Sequence, residues 1–387
     1  MSIAKVRGTR DLLPVDMVAQ QRVEAAAHEV FARFGYGEIR TPMFERTELF
    51  VRGIGEGTDI VSKETYTFED RGGRSITLRP EGTAGVVRAC LEQNLFKQSP
   101  VQKLYYVGPM FRYERPQAGR YREFWQAGIE AFGVSDPMID AEVLVCAYEF
   151  VTALGIKPVE IRLNSIGNEE RPAYIEKLKD YMRPHLEEMG GRDQERFEAN
   201  PLRMFDSKDP RTRELLADGP KVADNLSPAS VEHFEAVRRL LDKAGVPYRV
   251  DPYIVRGLDY YTRTVFELQP DVEGAQSTLC AGGRYDGPPG QAEQAREHWR
   301  SIPANTGGKG RQRRHASPQH DNGIRTIIFY GPKCRHGGVG GHGIDRVKTV
   351  SIGLQLHDFM DREAARGPVF GALGGQTFRI GRQQRNG

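Results

Sequence analysis

Phe124, Gln126, Gly128 and Glu130 recur at two-residue spacing in YREFWQAGIEAF, an aromatic, alternating stretch that reads as a strand. Side chains two apart on a strand share a face. This face offers a flat ring, an amide, a gap and a carboxylate, where a core-facing row would be apolar. Two readings stand: a lined pocket, or the polar side of a half-exposed hairpin turned to water. The preceding strand, LYYVGPMFRYE, supplies Arg112, and the turn RPQAGR, broken by Pro116 and Gly119, supplies Arg120. Each is a planar fork suited to phosphate or carboxylate.

Two other stretches carry candidate groups. In RPEGTAGVVRACLEQN, Glu81 and Thr83 stand where strand composition gives way to helical period, with Val86, Val87, Cys90 and Leu91 on one face. Thr83 is a candidate N-cap, so the pair either caps the helix or meets a ligand. In YIVRGLDYYTRTVFEL, Arg256 and Asp259 sit in a run of otherwise strand-like composition. An unpaired buried charge is costly, so Arg256 either pairs with Asp259 or faces a ligand. The glycines of LCAGGRYDG permit close backbone approach to a bound molecule.

Regular elements must position these groups. Asp11 and Pro14 open a helix to about Phe34, with Gly35 as its stop, and YGEIRTPMFE follows as a strand ending near Pro42. ETYTFED and RSITL form a hairpin around Arg71-Gly72-Gly73. Asp136 caps a helix with Pro137 at its first position, running to Leu154 before Gly155. VEIRLNS is a strand. The charged stretch that follows carries Tyr174, Leu178 and Tyr181 at helical spacing. Its last helix runs from Ser227-Pro228 to Gly245, with Val231, Phe234, Val237 and Leu241 on one face. Alternating strands and tight hairpins indicate antiparallel pairing in an α+β fold.

The chain has 387 residues, 39% hydrophobic and 28% charged, in keeping with a soluble globular protein of two or three domains. No run is long and apolar enough for a membrane span. The N-terminus lacks an apolar signal core, so a cytoplasmic protein is expected. Cys90, Cys146, Cys280 and Cys334 have no CxxC spacing, which argues against a disulfide framework or a zinc site. Residues 288–387 hold 16 basic and 7 acidic residues, a net of +9, against −6 for the rest. A globally basic footprint for nucleic acid is therefore absent from the main body, and RNA contact there requires a local patch.

The string F-R-Y-E-R-P-Q-x-G-R-Y-R-E-F-x-Q-x-x-x-E resembles motif 2 of the class II aminoacyl-tRNA synthetases, and its Q-x-x-x-E ending is similar to the histidyl-tRNA synthetase form. The first long helix and Pro-bearing strand resemble motif 1, which builds the dimer interface in that family. L-R-P-E-G-T-A resembles the segment that holds the α-amino group of histidine. R-G-L-D-Y-Y-T-R-T-V-F-E and LCAGGRYDG resemble the two histidine-specific motifs, and RPAYIEKLKDYM and NPLRMFDSK the insertion that helps hold the tRNA acceptor end. The resemblance covers about residues 1–287. It implies an antiparallel sheet flanked by helices: a catalytic core over 1–165, a mostly helical insertion over 166–245, and the core continued over 246–287. It further implies a homodimer that joins histidine to tRNA(His) at the expense of ATP with Mg²⁺. Arg112 and Arg256 would be catalytic. Glu81, Gly82, Thr83, Arg112, Gln126, Glu130, Arg256, Tyr260 and Tyr261 would bind histidine, and Arg112, Arg120 and Phe124 would bind ATP.

From Pro288 onward the pattern fails. The last 100 residues contain 18 Gly, 3 Leu and 6 of the 9 His, which is not core-forming and is expected to be disordered. Neither motif 3 nor an anticodon-binding domain is recognisable there. GHGIDRVKTV resembles motif 3, with Arg346 in the place of its Arg, but has Asp for Glu and lies too far along. His336 and His342 lack a metal-ligand spacing. A shifted reading frame after Gly287 would explain the change, and genomic sequence tests it. The alternative function is a non-catalytic histidine-binding paralogue such as the regulatory subunit of ATP phosphoribosyltransferase. A plain RNA-binding role is poorly supported, because the tail does not interleave aromatics with Arg.

Overall fold

The computed structural model describes residues 3–54, 59–114, 121–156, 159–255, 261–270, 278–286 and 349–355. In chain order the elements begin with α1 (Pro14–Arg33), β1 (Gly37–Glu38), β2 (Phe44–Arg46), α2 (Thr47–Ile54) and α3 (Asp59–Lys63). The hairpin β3 (Tyr66–Glu69) and β4 (Ser75–Leu78) follows, then α4 (Thr83–Glu92), α5 (Leu95–Gln98) and the long hairpin β5 (Gln102–Phe111) and β6 (Glu123–Phe132). Next come α6 (Pro137–Ala153), β7 (Val159–Ser165), α7 (Arg171–Met182), α8 (Gly191–Ala199), α9 (Pro210–Asp218) and α10 (Pro228–Ala244). The last are β8 (Tyr248–Val250), β9 (Thr262–Pro270), β10 (Cys280–Arg284) and β11 (Thr349–Gln355).

The helix signals at Pro14, Gly35 and Asp136 hold. α1 starts at Pro14 and is followed by Gly35, whose φ of +80° favours a residue without a side chain. Asp136 caps α6 by accepting from the Met138 N–H at 2.8 Å, with Pro137 in the first turn. YGEIRTPMFE is not one strand but two short ones, β1 and β2, in different sheets.

Among the described residues, eight strands form the main sheet in the order β1-β5-β6-β11-β10-β9-β7-β8, and β2-β4-β3 form a small second one. The central pairings are antiparallel, but the two edge strands, β1 and β8, run parallel to their neighbours, so the sheet is mixed. β11 amends the reading of the tail. Residues 349–355 fall in the stretch expected to lack core elements, yet they lie between β6 and β10. Glu130 faces Ser351, which in turn faces Gly283. The rest of 287–387 lies outside the described residues.

One face of the sheet packs on α1, α6 and α10. Ala127, Ile129 and Ala131 of β6 join Val23, Phe31, Leu144, Phe150 and Val237 in the largest core. A second core lies among α7, α8, α9 and the turns between them, built from Tyr174, Leu178, Met182, Phe197, Met204 and Leu216. α10 packs on the main core through Val237 and Leu241. On that helix Val231 is 43% exposed, contrary to expectation, and Ser230 and His233 are buried in its place. Among the described residues no helix is long and apolar enough to cross a membrane.

Candidate active site

The opposite face of β6 carries the polar row. Phe124 and Phe132 pack with Val86, Val87 and Cys90 of α4 and with Tyr106 and Met110 of β5. Between those two rings the strand presents Gln126, Gly128 and Glu130. Glu130 is fully buried, so this face is a lined floor and not one turned to water. Register places Gly108 opposite Gln126 and Tyr106 opposite Gly128, so the positions beside the row are set by the hairpin pairing.

Two hydroxyls hold the Glu130 carboxylate. Thr83 Oγ1 donates to Oε1 at 2.8 Å, and the Tyr285 hydroxyl donates to Oε2 at 2.6 Å. Burial nevertheless pushes its pKa well above the usual 4.5; the two hydrogen bonds pull it down in part, and the neighbouring Glu81 charge adds to the rise. Glu81 is itself 4% exposed, and its carboxylate accepts from the Thr83 and Ala84 N–H groups at 2.6 and 2.9 Å. Its pKa is also raised, chiefly by burial, against the lowering effect of those N–H groups and of the Arg112 charge. The capping alternative for Glu81 and Thr83 is thus met by Glu81, while Gly82 is the N-cap residue and the Thr83 hydroxyl serves Glu130. Two buried carboxylates at one helix start, both reluctant to ionise, form a site that a cationic ligand would relieve.

Gly82 is fixed by its neighbour. A Cβ there would stand 2.3 Å from Tyr106 ring carbons. Tyr106 is itself buried, its pKa raised by burial and by the Glu130 and Glu81 charges. Gly82→Ala is expected to destabilise the protein by roughly 1–3 kcal/mol through overpacking and to weaken any ligand held by Glu81. Denaturant unfolding checks this, and an unchanged midpoint would mean that the loop yields freely.

Arg112 donates from Nε to the Pro80 carbonyl at 2.9 Å, beside the Glu81 segment. Its guanidinium lies 5.1 Å from the Phe124 ring centroid, and Nη1 is 3.9 Å from Glu114 Oε1. Nη2 makes no hydrogen bond among the described residues, which leaves a donor for an anion. Phe124 is 4% exposed, so a base stacking on it must displace part of its cover. The Gln126 side-chain oxygen is buried without a hydrogen-bond partner among the described residues, an acceptor suited to an incoming N–H. Tyr261 is 5% exposed and meets Tyr285 edge to face at 6.5 Å. The structure therefore brings Glu81, Gly82, Thr83, Arg112, Phe124, Gln126, Glu130 and Tyr261 around one sheet face. Arg120, Arg256 and Tyr260 lie outside the described residues, as do Asp259, Arg346, His336 and His342. Among the described residues no three His, Cys, Asp or Glu side chains gather as a metal site.

Sequence reasoning missed two tyrosines. Tyr106 was findable by counting register from the turn, since it pairs with Gly128 between Gln126 and Glu130. Tyr285 stands among the glycines of LCAGGRYDG, and it reaches a residue 155 positions away.

The family model described as "Histidyl-tRNA synthetase" matches residues 8–298. A histidine–tRNA ligase of Thermosynechococcus vestitus is 53% identical over 287 residues, which is 74% of this chain and 67% of that protein. One from a Cyanothece species is 54% identical over 286 residues, with the same coverage. Among solved structures, the apo histidyl-tRNA synthetase of S. aureus superposes with a TM-score of 0.64 at 33% identity, covering 94% of this chain and 75% of that one. A Bacillus halodurans chain titled as an ATP phosphoribosyltransferase regulatory subunit/histidyl-tRNA synthetase shares the fold, with a TM-score of 0.60 at 18% identity over 93% of this chain and 83% of that one.

Proposed function

From a chain that belongs to the histidyl-tRNA synthetase family of aminoacyl-tRNA ligases, we propose a two-step reaction. A histidine carboxylate oxygen attacks the α-phosphorus of ATP, the bond to the bridging oxygen breaks, and pyrophosphate leaves, giving histidyl-adenylate. The terminal ribose hydroxyl of tRNA(His) then attacks the activated carbonyl, and AMP leaves. The observation that carries this reading is the buried Glu130 carboxylate, held by Thr83 and Tyr285 on the same floor as Glu81 and beside Arg112.

Glu130 accepts an imidazole N–H, and Tyr261 or Tyr260 serves the other ring nitrogen. Such hydrogen-bond reading discriminates strongly, because a wrong side chain leaves buried polar groups unpaired. Glu81, Thr83 and Gln126 hold the ammonium and carboxylate, with Gly82 admitting them closely. Arg112 and Arg256 neutralise charge developing at the α-phosphate and need not exchange a proton, since such transfer depends on positioning and electrostatics. Arg120 contacts the outer phosphates and Phe124 the adenine. Mg²⁺ arrives on the nucleotide as part of the substrate and keeps several waters. The insertion holds the tRNA acceptor end, and the protein acts in the cytoplasm as a homodimer.

Histidine-dependent exchange between ATP and pyrophosphate tests the first step on the purified chain. Exchange that requires histidine is the expected result. Histidine binding without exchange would instead favour a regulatory paralogue.

A further inference from the structure

A charged cluster flanks Tyr285 and has no part in the chemistry above. Asp140 on α6 is fully buried and collects donors from three other elements. Thr264 Oγ1 on β9 donates at 2.6 Å, His233 Nε2 on α10 lies at 2.8 Å, and Arg284 Nε on β10 donates at 2.9 Å, with Arg284 Nη2 also engaged. Arg284 is likewise fully buried, and its Nη1 reaches Asp286 Oδ1 at 2.9 Å. The Asp286 N–H is pinned to Thr262 Oγ1 at 3.1 Å. Both neighbours of Tyr285 in the chain are therefore anchored, and its hydroxyl ends 2.6 Å from Glu130.

The same geometry sets the tautomer of His233. Arg263 Nη1 faces its Nδ1 at 3.4 Å, and a guanidinium only donates. Nδ1 accordingly accepts, and Nε2 carries the proton given to Asp140. A buried ion pair offers little net stability over apolar packing, while a fixed geometry is its best-attested use.

We propose that the Asp140–Arg284–His233 cluster is the positioning frame of Tyr285, and that His233 thereby lets the α10 helix set the geometry of side-chain recognition at Glu130. This rests on the histidine reading of the pocket. His233 touches no substrate and acts through Tyr285.

The test measures KM for histidine and for ATP in exchange, and histidine affinity by calorimetry, on the full chain and on His233→Ala and His233→Gln, each with and without Tyr285→Phe. Coupled residues are non-additive, so His233→Ala is expected to raise the histidine KM and Kd about tenfold with the ATP KM within about twofold, and to add less than about twofold once Tyr285 is Phe. His233→Gln, which keeps an N–H toward Asp140, is expected to recover most of the loss. An equal change in both backgrounds, a parallel rise of both KM values, or no change overturns the proposal. Should His233→Ala not fold, Thr264→Val removes another donor to Asp140 at constant shape, and the same split decides. A parent that binds histidine without exchange overturns the proposed reaction, and the calorimetric arm then decides the frame. A parent that binds no histidine overturns both.

Discussion

Glu130→Gln is expected to raise the KM for histidine about a hundredfold or more, since a neutral amide cannot replace a carboxylate that pairs with a buried N–H, and at the same time to raise the melting temperature of the unliganded protein. The second effect follows from burial. Glu130 is fully buried and its pKa lies well above the usual 4.5, so the folded chain holds its proton more tightly than the unfolded one. The stability tied to that proton is fully present below the unfolded pKa and is lost as pH rises through the folded value. Gln carries no such penalty, and its amide can still meet the Thr83 and Tyr285 hydroxyls. The two proteins should melt alike near pH 4. The variant should then gain with rising pH, by roughly a few degrees at neutrality. Melting curves across pH and histidine titrations together check this. A variant that loses stability at pH 7 and keeps its histidine KM would remove Glu130 from the pocket.

Arg112→Ala is expected to lower kcat for adenylate formation by about two to three orders of magnitude, the usual loss when a preorganised donor to a transition-state charge is removed. Histidine affinity should change less, although Pro80 loses its donor and Glu81 loses a compensating charge. Arg112→Lys should recover only part of the rate, because an ammonium cannot meet Pro80 and a phosphate with one planar fork. Arg256→Ala is expected to follow the same pattern. Single-turnover measurement of adenylate formation separates this effect from binding, and an unchanged rate for Arg112→Ala would mean that the guanidinium serves structure alone.

Much of this arrangement was legible in the residues. Strict alternation in YREFWQAGIEAF placed Phe124, Gln126, Gly128 and Glu130 on one face, and the structure separates that face cleanly from Ala127, Ile129 and Ala131. Local cap signals at Asp136 and Gly35 also held. What escaped was non-local or disguised. Nothing near Asp140 in the chain announces Arg284, 144 residues on, or His233, 93 residues on. Thr83 satisfies the usual cap preference, yet the preceding acid takes the helix N–H groups and frees the hydroxyl for Glu130. In the tail, Gly and Arg mask a short period-two run, Val350, Ile352 and Leu354, within the strand that inserts beside β6. Local composition spoke for a chain end without core elements, and pairing with two existing strands overrode it.

Under the proposed reaction, one sheet face presents a carboxylate to an imidazole and a guanidinium to a nucleotide. The most direct measurement is a crystal structure of this protein with a non-hydrolysable histidyl-adenylate analogue. The expected result is an imidazole nitrogen within hydrogen-bond distance of Glu130 and the Arg112 guanidinium on the phosphate of the same molecule. An analogue bound with its ring away from Glu130, or with Arg112 still turned only to Pro80 and Glu114, would contradict it.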